Sequence, residues 1–318
     1  MPTITRRKFV ETLPAAAAGV FVFLSSRQSS ANSAAQPHVN FPTVPRQRLA
    51  VASYPFRAYI ESPSNRDRNP KLPGMDLAEF ASQVVTKFNV NNIEPHCRHF
   101  RSLNPEYLAN FREVLAKANV KVVDIAVDGS SSFYDVDPTT RQRSVMYAKS
   151  WVDVAVAIAS PSIRTHIARA TNSSPDAQRA ADSLRRVAEY GAERKVVINL
   201  ENDDLMSEDA FFLVKVIESV GNPYLRALPD FANSMLTGDA SFNYRAVEAM
   251  FQHAYCICHV KDGETGDNQE FNIDMKRTFD ILKSSGYRGY CSMEFDRGKG
   301  DPYAATSRLI EQSLQYLR

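Results

Sequence analysis

From residue 48 onward the chain alternates between two hydrophobic rhythms. Short runs rich in β-branched and apolar residues occupy 49–55, 90–94, 120–127, 162–167, 195–201, 225–230, 255–261 and 289–295. Each is followed by a segment whose apolar positions recur about every 3.6 residues: 76–88, 105–118, 139–158, 174–194, 207–220, 242–252, 273–284 and 303–316. The first rhythm predicts strands and the second amphipathic helices. Eight such pairs over 48–318 predict an α/β fold, a single (β/α)8 TIM barrel. A doubly wound open sheet is the competing architecture. It normally carries a Gly-rich phosphate turn after its first strand, where this chain reads SYPFRAYI without glycine. Asn104-Pro105 and Ser174-Pro175 predict capped helix starts, and Gly191, Gly221 and Gly286 predict helix stops.

Composition changes the picture mainly at the N-terminus. With 44% hydrophobic and 23% charged residues, the chain of 318 suits a globular protein with a sizeable core. Residues 1–35 differ from the rest. Arg6-Arg7-Lys8 opens a twin-arginine pattern, an apolar run spans Leu13 to Leu24, and small residues follow to plausible cuts after Ala31 or Ala35. This is the layout of a twin-arginine signal peptide, so the expected location is periplasmic. The apolar run holds 12 residues, too few to span a bilayer, which argues against stable membrane insertion after the signal is removed. An N-terminal anchor helix is the alternative. Residues 36–47, polar and Pro-rich, predict a flexible arm.

Without its leader, the chain keeps 34 of its 38 basic residues and 35 of its 36 acidic ones. That balance lacks the basic excess expected of a nucleic-acid partner. Of the four cysteines, Cys256, Cys258 and Cys291 fall by alternation on strand faces opposite to His259 and Glu294. They read as small apolar groups between barrel and helices, with a zinc cluster as the alternative.

Candidate chemistry gathers at four late strand ends: Glu201 in VVINLEND, Asp230 in LRALPDFAN, His259 in CICHVKDG and Glu294 in YCSMEFD. Their spacings of 29, 29 and 35 residues are each about one strand–helix unit. In a parallel barrel, such positions converge on the rim where barrel enzymes keep their sites. A single acid at a strand end is usually salt-bridged or solvated. Four metal-compatible side chains on consecutive strands instead suggest a shared divalent cation. Mn²⁺ is the first expectation, with Mg²⁺, Co²⁺ or Zn²⁺ also suited to three oxygens and one nitrogen.

These motifs, together with the closing GYRGYCSMEFD, resemble the xylose isomerase-like TIM-barrel superfamily over roughly residues 48–318. The likeness is to its sugar isomerases and epimerases, of the D-tagatose/D-psicose 3-epimerase and inosose dehydratase type. The resemblance implies one divalent metal on Glu201, Asp230, His259 and Glu294, with Glu201 and Glu294 doubling as the catalytic acid/base pair. It also implies a substrate contact three residues after the Asp, where the epimerases have His and this chain has Asn233. The expected activity is an exported sugar isomerase or epimerase that abstracts a proton next to a carbonyl and passes through an enediolate. A lyase eliminating the aglycone from 3-keto-glycosides needs the same first step and stays open. So does a non-catalytic sugar-binding barrel. The apurinic endonucleases of the superfamily need more His and acidic ligands than six His allow.

Other residues near the predicted mouth carry weaker signals. Lys261 either binds a substrate oxygen or pairs with Asp262. His96, His99 and His166 either reach the substrate or serve locally. Arg297, opening Arg297-Gly298-Lys299-Gly300 after the last strand, is placed to cradle an anion. Tyr54, Phe56, Phe133, Tyr134, Phe231 and Phe295 either stack on a sugar ring or pack. The expected partner is a small sugar or glycoside, and a homo-oligomer stays open.

Overall fold

The computed structural model describes residues 35–165, 167–203, 209–266, 269–297 and 300–318. The leader, His166, Gly298 and Lys299 lie outside the described residues, apart from Ala35. In chain order the strands are β1 (Leu49–Ala52), β2 (Asn92–Glu94), β3 (Lys121–Val122), β4 (Ala126–Val127), β5 (Ser162–Thr165), β6 (Val197–Glu201), β7 (Leu225–Leu228), β8 (Ile257–Val260), β9 (Gly263–Gly266), β10 (Gln269–Asn272) and β11 (Tyr290–Met293). The helices are α1 (Leu77–Phe88), α2 (Pro105–Lys117), α3 (Pro138–Ile158), α4 (Ala177–Arg194), α5 (Ala210–Val220), α6 (Ala240–Phe251), α7 (Met275–Ser284) and α8 (Pro302–Tyr316).

Parallel ladders build two arcs, β3-β2-β1-β11-β8 and β4-β5-β6-β7. Isolated parallel bridges mark both seams: His96 to Ala126 on one side, Ala227 to Ala254 and Asp230 to His259 on the other. With β3 and β4 as one interrupted strand, the eight strands follow one another around the ring in chain order, as a TIM barrel requires. The antiparallel hairpin β9–β10 is an addition after β8 that the sequence pattern did not suggest.

Local chemistry sets the helix ends. Asp76 accepts from the backbone of Ala78 and Glu79 while Glu79 accepts from Asp76 N–H, a reciprocal capping box. The expected start at Ser174-Pro175 is displaced. Helix α4 begins at Ala177 because the Asp176 carboxylate caps it, accepting from Arg179 N–H. Gly191 does not end α4, which runs on to Arg194. A Cβ at Gly191 would stand 2.5 Å from the Val196 carbonyl oxygen, so its missing side chain lets the helix lie against the chain entering β6. Gly221 and Gly286 do take left-handed conformations after their helices.

The strand faces divide the interior in two. Outward residues such as Leu49, Val51, Ile93, Ile198 and Val260 join the large core beneath the helices. Inward residues low in the barrel, Ala50, Val197, Leu228, Ile257 and Tyr290, form a smaller apolar cluster. The Pro-rich segment meets this cluster from below: Phe41 packs edge-on against Tyr255 and Tyr290, and Val39 N–H donates to the Tyr255 hydroxyl. Cys258 and Cys291 lie on the helix-facing side with their sulfurs 3.8 Å apart. Cys256 departs from the expected face. It precedes the first paired residue of β8, so strict alternation does not reach it, and it joins the inner cluster. Among the described residues no helix is long and apolar enough to cross a membrane.

Candidate metal centre

Four strand ends bring Glu201, Asp230, His259 and Glu294 together. Each offers one ligand atom, all four atoms lie within 4.8 Å of one another, and all four residues are buried. Backbone pairing fixes the arrangement. Glu201 is the last residue of β6, in register with Leu228. Pro229 cannot extend the β7 ladder, and its carbonyl accepts from His259 N–H. Asp230 therefore sits just past the end of β7, bridged to His259. Glu294 follows β11, its N–H donating to the Val260 carbonyl.

His259 Nδ1 is the focus. It lies 2.6 Å from Glu201 Oε1, 3.0 Å from Glu294 Oε2 and 3.8 Å from Asp230 Oδ2. The two oxygens of Asp230 have different duties. Oδ1 accepts from Ala232 and Asn233 N–H and shapes the turn at residues 233–237. Oδ2 is buried without a hydrogen-bond donor. A buried carboxylate oxygen without a hydrogen bond, beside two other carboxylates, is expensive even with Lys261 Nζ 3.5 Å away. The separations suit donors arranged about one ion at roughly 2.0–2.3 Å. The residues present therefore fit a divalent cation.

The charges follow from burial and proximity. Burial pushes the Asp230 carboxyl up to about 7, although Lys261 opposes it. Burial works in the same direction on Glu201, but Arg164 and His259 outweigh it and hold the carboxylate well below its usual range. Glu294 behaves likewise and falls to about 2 beside His259 and Lys261. Burial would lower the His259 imidazole, yet Glu294, Glu94 and Glu201 hold it well above its ordinary value. At neutral pH the two glutamates are thus carboxylates, the form a base requires.

The cleft above the four is lined by Tyr54, His96, Asp128, Arg164, Asp203, Asn233, Lys261 and Asp296. Asn233 and Lys261 both line this cleft. Lys261 Nζ is 2.7 Å from Asn233 Oδ1, 3.1 Å from Glu264 Oε2, 3.4 Å from Glu294 Oε2 and 3.5 Å from Asp230 Oδ2. Its carboxylate partners exclude Asp262, which pairs with Arg297 instead. His96 reaches the cleft with Nε2 3.0 Å from Asp128 Oδ2. His99 turns away and bonds the Ser53 hydroxyl through Nδ1.

Arg297 is not brought to the cluster. Its guanidinium donates to the Asp262 carboxylate, the Asp262 carbonyl and Asn272 Oδ1, clamping the base of the β9–β10 hairpin. Of the six candidate aromatics only Tyr54 lines the cleft. Phe56, Tyr134 and Phe231 are fully buried.

Two residues at the centre escaped the sequence reading. Arg164 donates through Nε to Glu201 Oε2 at 2.5 Å and also pairs with Asp128 and Asp203. The parity that singles out His166 includes Arg164, and an arginine at an inward strand position was the available signal. Glu94, the last residue of β2, lies 2.9 Å from His259 Nε2. It too is an acid at a strand end, in the run IEPH.

Comparison with known proteins bears on the same region. A family model described as xylose isomerase-like TIM barrel matches residues 83–318. No curated protein matches the sequence. Among solved structures, a D-allulose 3-epimerase from Methylomonas sp. is similar at 15% identity and a TM-score of 0.64, covering 87% of this chain and 100% of that one. A xylose isomerase-like TIM barrel protein from Mycobacterium smegmatis, solved in complex with magnesium, gives 15% identity and 0.64, over 85% and 96%. A 3-keto-D-glucoside 4-epimerase from E. coli gives 15% and 0.60, over 85% and 98%.

Proposed function

We propose, for a chain that belongs to the xylose isomerase-like TIM barrel family, a metal-dependent isomerase or epimerase acting on an uncharged sugar. The observation that carries this reading is the placement of two glutamates about one buried histidine nitrogen, with an Asp230 oxygen beside them that accepts no hydrogen bond. Glu201, Asp230, His259 and Glu294 would hold the ion, Mn²⁺ by first expectation. When bound, a divalent cation supplies positive charge beside the carbonyl and hydroxyl oxygens of the sugar.

The chain's own residues supply the rest. Glu201 is braced by Arg164 through Oε2, which leaves Oε1 toward the centre. Glu294 stands near Lys261, with Oε2 3.4 Å from its Nζ. One carboxylate takes the proton from the carbon next to the carbonyl, and the other returns a proton to that carbon or its neighbour. Lys261 and Asn233 would hold substrate oxygens. The cleft carries carboxylates from Asp128, Glu201, Asp203, Glu294 and Asp296 against the cations Arg164 and Lys261, both already paired. That balance favours a neutral polyol over a phosphorylated sugar.

A second reading has its own support. A cavity of about 520 Å³ shares Asp128 with the cleft and is also lined by Arg98, Gly129, Phe133, Arg143 and Tyr147. It has room for the aglycone of a 3-keto-glycoside, which the same proton abstraction would expel. Incubating metal-loaded protein in D₂O with free keto-sugars and with 3-keto-glycosides separates the two. Deuterium uptake without release means isomerase or epimerase, and release of the aglycone means lyase. If neither occurs while binding persists, the protein is a sugar-binding barrel. We also propose that residues 1–35 direct export to the periplasm, which fractionation of cells making the full chain and an Arg6→Lys/Arg7→Lys variant would test.

A further inference from the structure

We propose that Glu94 is a positioning residue: by accepting the Nε2 proton of His259 it fixes the tautomer and ring plane that turn Nδ1 toward the cation. The proposal rests on the metal-centre reading above. Glu94 and His259 belong to β2 and β8, and β1 and β11 stand between these two strands in the sheet. The register explains how they meet. Glu94 pairs with Ala52 on β1, and His259 pairs with Ser292 on β11, itself opposite Ala50. These three intervening side chains are small, so the glutamate can extend across the interior to the imidazole.

The partners of Glu94 argue for a dedicated role. Its side chain is 1% exposed, Oε1 lies 2.9 Å from His259 Nε2, and Oε2 has no hydrogen-bond partner. Its hydrogen-bond partner among the described side chains is therefore the imidazole. Burying a carboxylate costs several kcal/mol unless charge or hydrogen bonds compensate. Asp124, equally buried, spends its Oδ1 on Ser162 and Asn199 and ties three strands together. Among the described residues the Glu94 side chain ties nothing except the histidine.

The other face of the ring completes the argument. With the proton on Nε2, Nδ1 faces three carboxylates, the place where a shared cation would sit. With the proton on Nδ1 alone, that nitrogen could not serve as a ligand. A histidine that binds a metal commonly donates its second N–H to a carboxylate, and loss of that partner costs 10–100-fold in metal affinity.

The test is Mn²⁺ titration calorimetry on the metal-free protein, comparing wild type with Glu94→Gln and Glu94→Leu. Circular dichroism checks each fold. Glu94→Leu should weaken Mn²⁺ binding by about 100-fold and Glu94→Gln by about tenfold. In ¹⁵N-histidine spectra of the Zn²⁺-loaded protein, wild type should show a slowly exchanging Nε2–H for His259, assigned by its absence in His259→Ala. Glu94→Leu should lose it. Wild-type affinity and an unchanged Nε2–H in folded Glu94→Leu would overturn the proposal. If that variant does not fold, unchanged affinity and an unshifted Nε2–H in Glu94→Gln overturn it. Wild type that binds no Mn²⁺ would instead remove the metal-centre reading, and this inference with it.

Discussion

Low in the barrel the inward side chains are Ala50, Val197, Leu228, Ile257 and Tyr290; two to four residues further along the same strands they are Asn199, Glu201, Asp230, His259, Ser292 and Glu294. Strands β6, β8 and β11 run unbroken across that boundary, so their backbone geometry does not distinguish the two layers. Side-chain chemistry does. The lower layer is held by apolar burial, which needs only fit. The upper layer holds ionisable groups whose burial is costly unless each meets a partner. One layer supports the fold, and the other is tolerated because the fold is supported elsewhere. Substitutions in the two layers should therefore fail in different ways.

The largest effect on stability is expected at Arg164, which joins Glu201 to Asp128. Replacing it with Met leaves buried carboxylates without their cation and should cost about 3–5 kcal/mol in urea denaturation. A loss below about 1 kcal/mol would mean that pairing matters little in the upper layer. Ile257→Ala removes packing below the site. It should cost roughly 2–5 kcal/mol while leaving the Mn²⁺ affinity of the folded protein unchanged. His259→Ala should lower metal affinity by more than the roughly 100-fold assigned to an outer partner, and because it strips the imidazole from Glu94 and Glu201 it should lower stability as well. If Ile257→Ala lowered metal affinity as His259→Ala does, the division into layers would fail.

A smaller effect concerns pH. Burial raises the Asp128 carboxyl, but Arg164, His96 and Arg98 outweigh it and hold it far below its ordinary 3.8. As pH falls, the unfolded chain takes up this proton before the folded one does. The stabilisation is thus complete above the ordinary value and erodes below it, no more steeply than about 1.4 kcal/mol per pH unit. Asp128→Asn should lower the melting temperature at pH 6, and its deficit against wild type should shrink below about pH 4. A deficit that stayed constant down to about pH 3 would contradict the charge argument.

The amino-acid pattern carried the architecture well because the period-2 and period-3.6 rhythms are strong from 49 to 316. It was less informative where tertiary geometry decides. The third strand reads as continuous over 120–127, yet it is interrupted at Asp124, which turns inward to Ser162 and Asn199. Gly191 looked like a stop and is a point of close approach. At the site, the four strand-end donors were legible because parallel strands bring their ends together. Glu94 and Arg164 were not, since their importance lies in partners 165 and 37 residues away. Arg297 carries the charge expected of an anion ligand, but a hairpin absent from the expected topology claims it.

A cation shared by the four side chains is tested directly by the anomalous difference map of a crystal soaked in Mn²⁺. One peak within about 2.0–2.3 Å of Glu201, Asp230, His259 Nδ1 and Glu294 is the predicted result. A map with no peak there, or with manganese bound only elsewhere, would contradict it.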